Sequence, residues 1–376
     1  MTRVLSVGLI FSILAYAVIV DRYFYDFYLQ SVQEDEYLEW STFWGFILAS
    51  VLYGLAARQQ FRSEKVIPWY LAGVGAFCFI FAMEEISWGQ RVLGFRPPAY
   101  FLDSNFQQEL NYHNIVEKDE RKILLKLIIL SYGFFLPIIS MEPLFSKWAK
   151  KLTFVSPPVL FVIPFTAIAF FYHEYPLEYS GEIAELMLAL GFVFSAMDYL
   201  QNSDKAILAH PPHTAINQTL WRLSVPIILW LGIIAIGIAG GYQSRTTRGV
   251  DPEMARMATV ETQALRADII DLYKRNKQRS VTVCGLHMRL NSYAKRIRTD
   301  HLRKASFHAL TASGLPEERA NFFIDPWNSP YWIRHYCSED KSVVSVFIYS
   351  FGPNRKRDSS RTDLAGDDIG SFIAKR

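Results

Sequence analysis

Long apolar runs alternate with short polar stretches over the first 241 residues, and none follows them. Seven runs read as membrane helices: Val4–Val20, Thr42–Ala57, Val66–Met83, Ile123–Ile139, Val159–Tyr172, Ile183–Met197 and Leu220–Ile238. Several are near the short limit of the ~20 apolar residues that cross a bilayer. The run with Pro164 still qualifies, because neighbouring helices can satisfy the carbonyl that a proline frees. Trp and Tyr flank many of the ends, as in interfacial belts. Ala15 and Ala17 offer the A-x-A pattern of a cleaved signal, yet apolar residues continue to Val20, so a retained helix is expected.

Beyond Gly241 the period changes. Asp251-Pro252 is a helix-start signal, and Met257, Val260, Ala264, Ala267 and Ile270 recur at helical spacing as far as about Lys274. FFIDPWNSPYWIRHY reads as a turn and a strand, and KSVVSVFIYSFG as a second strand. The last stretch, GPNRKRDSSRTDLAGDDIGSF, reads as a long ordered or metal-stabilised loop. The expected fold is an α-helical polytopic bundle over 1–241, a linker over 242–254, and a small α+β domain over 255–376.

Loop charges set an orientation. Arg58, Arg62 and Lys65 follow the second run, and Lys147, Lys150 and Lys151 follow the fourth; both loops read as cytoplasmic. The acidic loop after the first run and the loop after the fifth, free of Lys and Arg, read as external. The stretch with Arg91, Arg96, Lys118, Arg121 and Lys122 votes against this scheme, weakly because it is long. With seven spans the N-terminus is cytoplasmic and the tail extracytoplasmic, in a bacterial cytoplasmic membrane with lipid as its surroundings.

A net charge of +3 is too small for a nucleic-acid binder. The densest basic run, Lys295, Arg296, Arg298, Arg303 and Lys304, reads as a solvated helix face. Cys78 lies in an apolar run and reads as a buried small hydrophobe; Cys284 and Cys337 are candidates for a disulfide if the tail faces an oxidising compartment.

The candidate chemistry lies at the external helix ends. Glu84 and Glu85 close the third run, and His173 and Glu174 close the fifth. Glu182 and Glu185 open the sixth on one helix face. Between the third and fourth runs, Ser104 with Gln107 reads as a capping box, so Glu109 and His113 would share a face of a short helix. Imidazole with carboxylate suits Zn, Mn or Fe, and a bound metal could activate water. A catalytic site would use Glu84, Glu85, His113, His173, Glu182 and Glu185. Two alternatives stand beside it: a hydrogen-bonded polar plug whose glutamates favour a helix N-terminus, and an ion or proton path. His210 and His213 supply only two nearby ligands, where zinc wants at least three. No Ser/His/Asp arrangement, phosphate loop or dinucleotide fingerprint points to a familiar soluble enzyme.

Three stretches of the tail carry a resemblance: the helix ALRADIIDLYKRN, the turn Asp325-Pro326-Trp327-Asn328-Ser329-Pro330-Tyr331, and Tyr349–Asn354 closed by Gly366-Asp367-Asp368-Ile369. This order resembles the globular domain of the major pseudopilin of type II secretion systems, over roughly the last third of the chain. The resemblance implies a calcium-binding loop, here with Asn354, Asp358, Asp363, Asp367 and Asp368, where Asn354 stands at a position usually held by Asp. Oxygen ligands of this kind suit a hard cation; the alternative is an Asx-rich loop held by hydrogen bonds alone. The family's leader and its N-terminal helix have no counterpart in WRLSVPIILWLGIIAIGIAGG, and Ser280–Leu315 departs from the family pattern. EEISWGQR and QQELNYHN resemble segments of bacterial polytopic membrane proteins of unassigned activity. The expected role is display of a pseudopilin-like domain to secretion-system or other envelope proteins. The alternative is a membrane-embedded hydrolase dependent on a metal or on carboxylates, with a transition metal as a candidate cofactor.

Overall fold

The computed structural model describes residues 1–33, 35–105, 107–174, 176–177, 179–202, 215–246, 251–275, 285–296, 311, 317–340 and 342–375. His210, His213, Cys284, Arg298, Arg303 and Lys304 lie outside the described residues. The chain divides into two compact units, Met1–Trp88 with Val116–Tyr242, and Gly89–Ile115 with Gln243–Arg376. The break at Tyr242 falls where the apolar pattern stops. The second unit also takes in Gly89–Ile115, which the sequence analysis grouped with the membrane domain.

In the first unit each of the seven apolar runs is helical over most of its length. Among the described residues five helices are long and apolar enough to cross a membrane: Thr2–Tyr23, Tyr37–Glu64, Asp119–Ile139, Ser180–Asn202 and Leu220–Gln243. Two are shorter, Trp69–Glu85 with 17 residues and Val159–Glu174. At a rise of 1.5 Å per residue, a helix of that length reaches about 26 Å, slightly less than the ~30 Å hydrocarbon core.

Ser180–Asn202 is the centre of this bundle. It is apolar on all sides, so burial on all sides is its stable state. Its Phe192 ring meets Phe46, Tyr53, Phe77, Tyr132 and Phe165, at centroid distances of 4.7 to 6.3 Å. At its far end Asp198 accepts two hydrogen bonds from Arg3, at 2.7 and 3.0 Å. Gly133 sits in a π-helical turn, Ser131–Phe135, where an added Cβ would lie 2.0 Å from Phe165 Cγ. Gly133→Ala should therefore cost about 1–3 kcal/mol through overpacking. The check is the thermal inactivation midpoint of the detergent-solubilised chain; an unchanged midpoint would contradict the close approach.

The second unit is an antiparallel meander with helices on one face. Strands β1 (His287–Arg289), β2 (Trp332–Cys337), β3 (Val344–Ser350) and β4 (Ile369–Lys375) lie in the order β1-β2-β3-β4. The helix Pro252–Arg275 packs on β3 and β4, burying Leu265 and Ile269 against Ile333 and Ile348. Asp251 Oδ1 caps its start by accepting from Glu253 N at 2.9 Å. Glu261, 1% exposed, ties the helix to the turn below it: it accepts from Arg319 at 3.0 Å and from the Tyr331 hydroxyl at 2.6 Å. The strands predicted from sequence are β2 and β3. The final stretch, read as a loop through Phe372, turns into β4 from Ile369 because its residues pair with β3.

Candidate functional site

Three of the carboxylates expected at the helix ends come together from two helices of the first unit. Glu85 ends Trp69–Glu85, and Glu182 and Glu185 lie in the first two turns of Ser180–Asn202. One carboxylate oxygen from each lies within 4.8 Å of the others, all three half-buried. Arg121 and Glu39, which the sequence counts only among loop charges, are within electrostatic reach of Glu185. Glu39 in turn accepts from the Asp35 backbone N–H. The arrangement can hold a divalent cation or share protons among three acids.

The other residues grouped with these go elsewhere. Glu84 accepts from Trp88 Nε1 at 2.7 Å, one turn on. His173 pairs through Nδ1 with Glu174 at 2.8 Å, in an exposed position. His113 belongs to the second unit. The short helix expected to begin at Ser104 instead ends there, and no helix carries Glu109 and His113 on one face. The cause is Asn105. Its Oδ1 accepts from Gln107 N at 2.7 Å, and its Nδ2 donates to the carbonyls of Glu109 and Asn111 at 2.8 Å each. A side chain that satisfies backbone groups this way stabilises a turn in place of a helix.

Freed from a helix, Glu109 reaches the tail. It pairs with Arg289 of β1 at 3.2 Å, and the two side chains are 7% and 4% exposed. Gln108 Nε2 donates to Phe322 O at 3.0 Å, and Asn328 Nδ2 donates to Gly94 O at 3.1 Å. Lys295 pairs with Asp103 at 3.4 Å. These contacts join positions about two hundred residues apart and make Gly89–Ile115 part of the second unit.

The C-terminal loop gathers three of its expected acids. Asp358 and Asp367 face each other within hydrogen-bonding reach. Asp367 Oδ2 accepts from Asn354 N at 3.0 Å, and Asp368 Oδ2 from Ser359 N at 2.7 Å. Asp367 Oδ1 and Asp368 Oδ1 are buried with no hydrogen-bond partner among the described residues. Burial first, then Asp358, pushes the Asp367 carboxyl up to about 6; burial raises Asp368 to about 7. Gly352 and Gly366 permit this approach. Their φ values are +67° and +61°, and a Cβ would lie 2.2 Å from Asp367 O in one case and 2.2 Å from Asp358 Oδ2 in the other. Oxygen donors with unpartnered lone pairs fit a hard cation. Asp363 does not join them: it is exposed and pairs with Lys375. Asn354 is spent within the loop, its Nδ2 on Asp358 at 2.8 Å and its Oδ1 on Lys356 N at 2.6 Å.

Cys337 is in a disulfide, while Cys78 is free and buried. Its expected partner, Cys284, lies outside the described residues.

Compared with known proteins, the chain matches no family, no curated sequence and no solved structure.

Proposed function

We propose that this chain anchors and displays a pseudopilin-like module on the extracytoplasmic side of a bacterial membrane, in an interaction role within the envelope or a secretion system. The observation that carries the reading is the closure of Gly89–Ile115 on the tail. A compact unit built from both stretches lies on one side of the bilayer, so the chain between Ile115 and Gln243 crosses an even number of times. Three long helices lie in that interval, and the shorter Val159–Glu174 makes the fourth. This parity supports seven crossings in all, with the tail opposite the N-terminus. A disulfide at Cys337 agrees with an oxidising compartment. The buried, fully satisfied Asp325 turn and the acidic loop support the pseudopilin likeness at the residues where it was noticed.

The test is a pair of reporters, an alkaline phosphatase fusion at the C-terminus and impermeant labelling of a cysteine placed at Tyr100. Both should report the extracytoplasmic side; a cytosolic signal from either would refute the reading.

In this reading calcium occupies the loop through Asp358, Asp367 and Asp368, with Asp363 left to its lysine. Calcium at a hundred times its dissociation constant should stabilise the module by about 2.7 kcal/mol. Asp367→Ala should abolish that gain. Equal calcium titrations of the two proteins in a calorimeter would exclude the loop as a calcium site.

A second reading rests on the trio Glu85, Glu182 and Glu185, whose mutual approach favours a divalent-metal or proton-handling centre at the outer helix ends. Bound metal in the purified chain that disappears in Glu182→Gln/Glu185→Gln would favour it. Unchanged metal content would remove it.

A further inference from the structure

Past the fourth apolar run the first unit forms a short helix, Pro143–Lys151. The helical period puts Leu144, Phe145, Trp148 and Ala149 on one side, and Ser146 and Lys147 on the other. Leu144 and Trp148 are 77% and 54% exposed, and Lys147 is exposed as well. Large apolar side chains left in the open on a helix that also carries cations are what an interfacial helix presents to a bilayer.

The end of this helix is fastened to a cavity. Phe154 N donates back to Ala149 O at 2.9 Å, and Thr153 takes a left-handed φ of +60°, which together make a Schellman ending. That turn brings Phe154 onto Trp148, with the rings 6.2 Å apart and 16° from parallel. Phe154 meets Tyr70 of Trp69–Glu85 on its other side, at 4.7 Å.

Leu152, Phe154 and Tyr70 line a cavity of about 690 Å³ between Trp69–Glu85 and Asp119–Ile139. Sites of ~300–1,000 Å³ hold small organic ligands. Trp69 and Leu127 at its edge are exposed, so it opens on the outside of the bundle, where a membrane protein meets lipid. Phe77 and Phe192 lie deeper, and the π-helical turn Ser131–Phe135 adds Tyr132 to the wall. The Tyr132 hydroxyl is engaged by that of Tyr53, and the lining is mostly carbon. Such a wall suits an aliphatic chain. The space exists in part because Gly73, on the same wall as Tyr70, has no side chain; a Cβ there would meet nothing within 4 Å.

We propose that this cavity and the helix beside it bind one anionic phospholipid, with an acyl chain in the cavity and the phosphate headgroup at Lys147. Lipid tails are as apolar as the wall, so the tail alone gives little preference for one lipid over another. Preference comes from the headgroup. The two loops at this end carry Arg58, Arg62, Lys65, Lys147, Lys150 and Lys151 against Glu64 and Glu142, so the favoured headgroup is an anion. Each Lys or Arg near a headgroup layer strengthens such attraction by about fivefold. In the orientation expected from loop charges the lipid belongs to the cytoplasmic leaflet. The site depends on neither the pseudopilin likeness nor the glutamate trio.

The test titrates the delipidated full chain in detergent with dioleoylphosphatidylglycerol, and separately with dioleoylphosphatidylcholine, and counts bound lipid by native mass spectrometry. Saturable binding of phosphatidylglycerol is expected, at least about tenfold tighter than that of phosphatidylcholine. Gly73→Phe fills the cavity without a clash at its Cβ and should weaken both lipids at least about tenfold. Lys147→Gln/Lys150→Gln/Lys151→Gln leaves the cavity alone and should lower the preference for phosphatidylglycerol at least about tenfold. Phosphatidylglycerol binding that survives Gly73→Phe overturns the proposal. So does equal affinity of the wild type for the two lipids, or a preference that survives the triple substitution.

Discussion

Glu109→Ala will destabilise the module by about 3–5 kcal/mol, although the residue sits in a loop between two membrane helices. The substitution removes the carboxylate that pairs with Arg289, a guanidinium 4% exposed and lying over the Trp332 ring. Removing one partner of a buried pair costs far more than the pair contributes, because the remaining charge has lost its solvation. Glu109→Leu/Arg289→Leu, which takes both charges away, should recover much of the loss. Hydrogen exchange of the β1 and β2 amides in the full chain measures both effects. Protection that falls less than tenfold in Glu109→Ala would mean that the loop is not fastened to the sheet through this pair.

Asp325→Ala should be about as damaging, at about 3–5 kcal/mol, for a different reason. Its carboxylate is fully buried and organises the turn between the helix Glu317–Ala320 and β2. Oδ1 accepts from Trp327 N at 2.9 Å and from Ser329 N at 2.8 Å, while Oδ2 accepts from Ser350 Oγ at 2.5 Å. Alanine leaves three donors without an acceptor. The pH dependence separates charge from geometry. Burial raises the Asp325 carboxyl to about 6, against the hydrogen bonds from Ser350 and Ser329 and the charges of Arg355 and Arg319, which lower it. The folded form therefore holds a proton that the unfolded form has released between about pH 4 and 6. That contribution is fully present below about pH 4 and is lost as pH rises through 6, a change of about 3 kcal/mol. Asp325→Asn removes it, so the difference between wild type and this variant should move in the variant's favour from pH 4 to pH 7. A difference that stays flat with pH would mean that Asp325 does not change its charge on folding in this window.

The apolar runs were legible because a bilayer demands one simple pattern, and hydropathy alone recovers it from Val4 to Ile238. The Asp251-Pro252 start and the β-branched Val343–Tyr349 run were legible for local reasons too. β1 was not, because three residues of alternating His, Met and Arg carry little signal until β2 lies beside them. Nor was the capture of Gly89–Ile115, since no local period records a partner such as Arg289 or Phe322. Ser104 and Gln107 misled by spacing: the capping pattern was present, but Asn105 between them had a better use for the same backbone groups. At the helix ends, the shared side expected from loop charges suggested a group of six. Only backbone direction at the end of Trp69–Glu85 separates Glu85, which turns toward Glu182 and Glu185, from its neighbour Glu84.

A module stitched from an early loop and a late tail imposes an order on biogenesis. Gly89–Ile115 leaves the ribosome long before the strands that will receive it, an interval on the order of tens of seconds at ordinary synthesis rates. During that time Glu109, Gln108 and Asn105 have no sheet to rest on, and a nascent chain stopped at Gly241 never provides one. Truncations that keep every membrane helix should therefore leave this segment open to proteases, and quality control could distinguish finished from unfinished copies by that exposure alone.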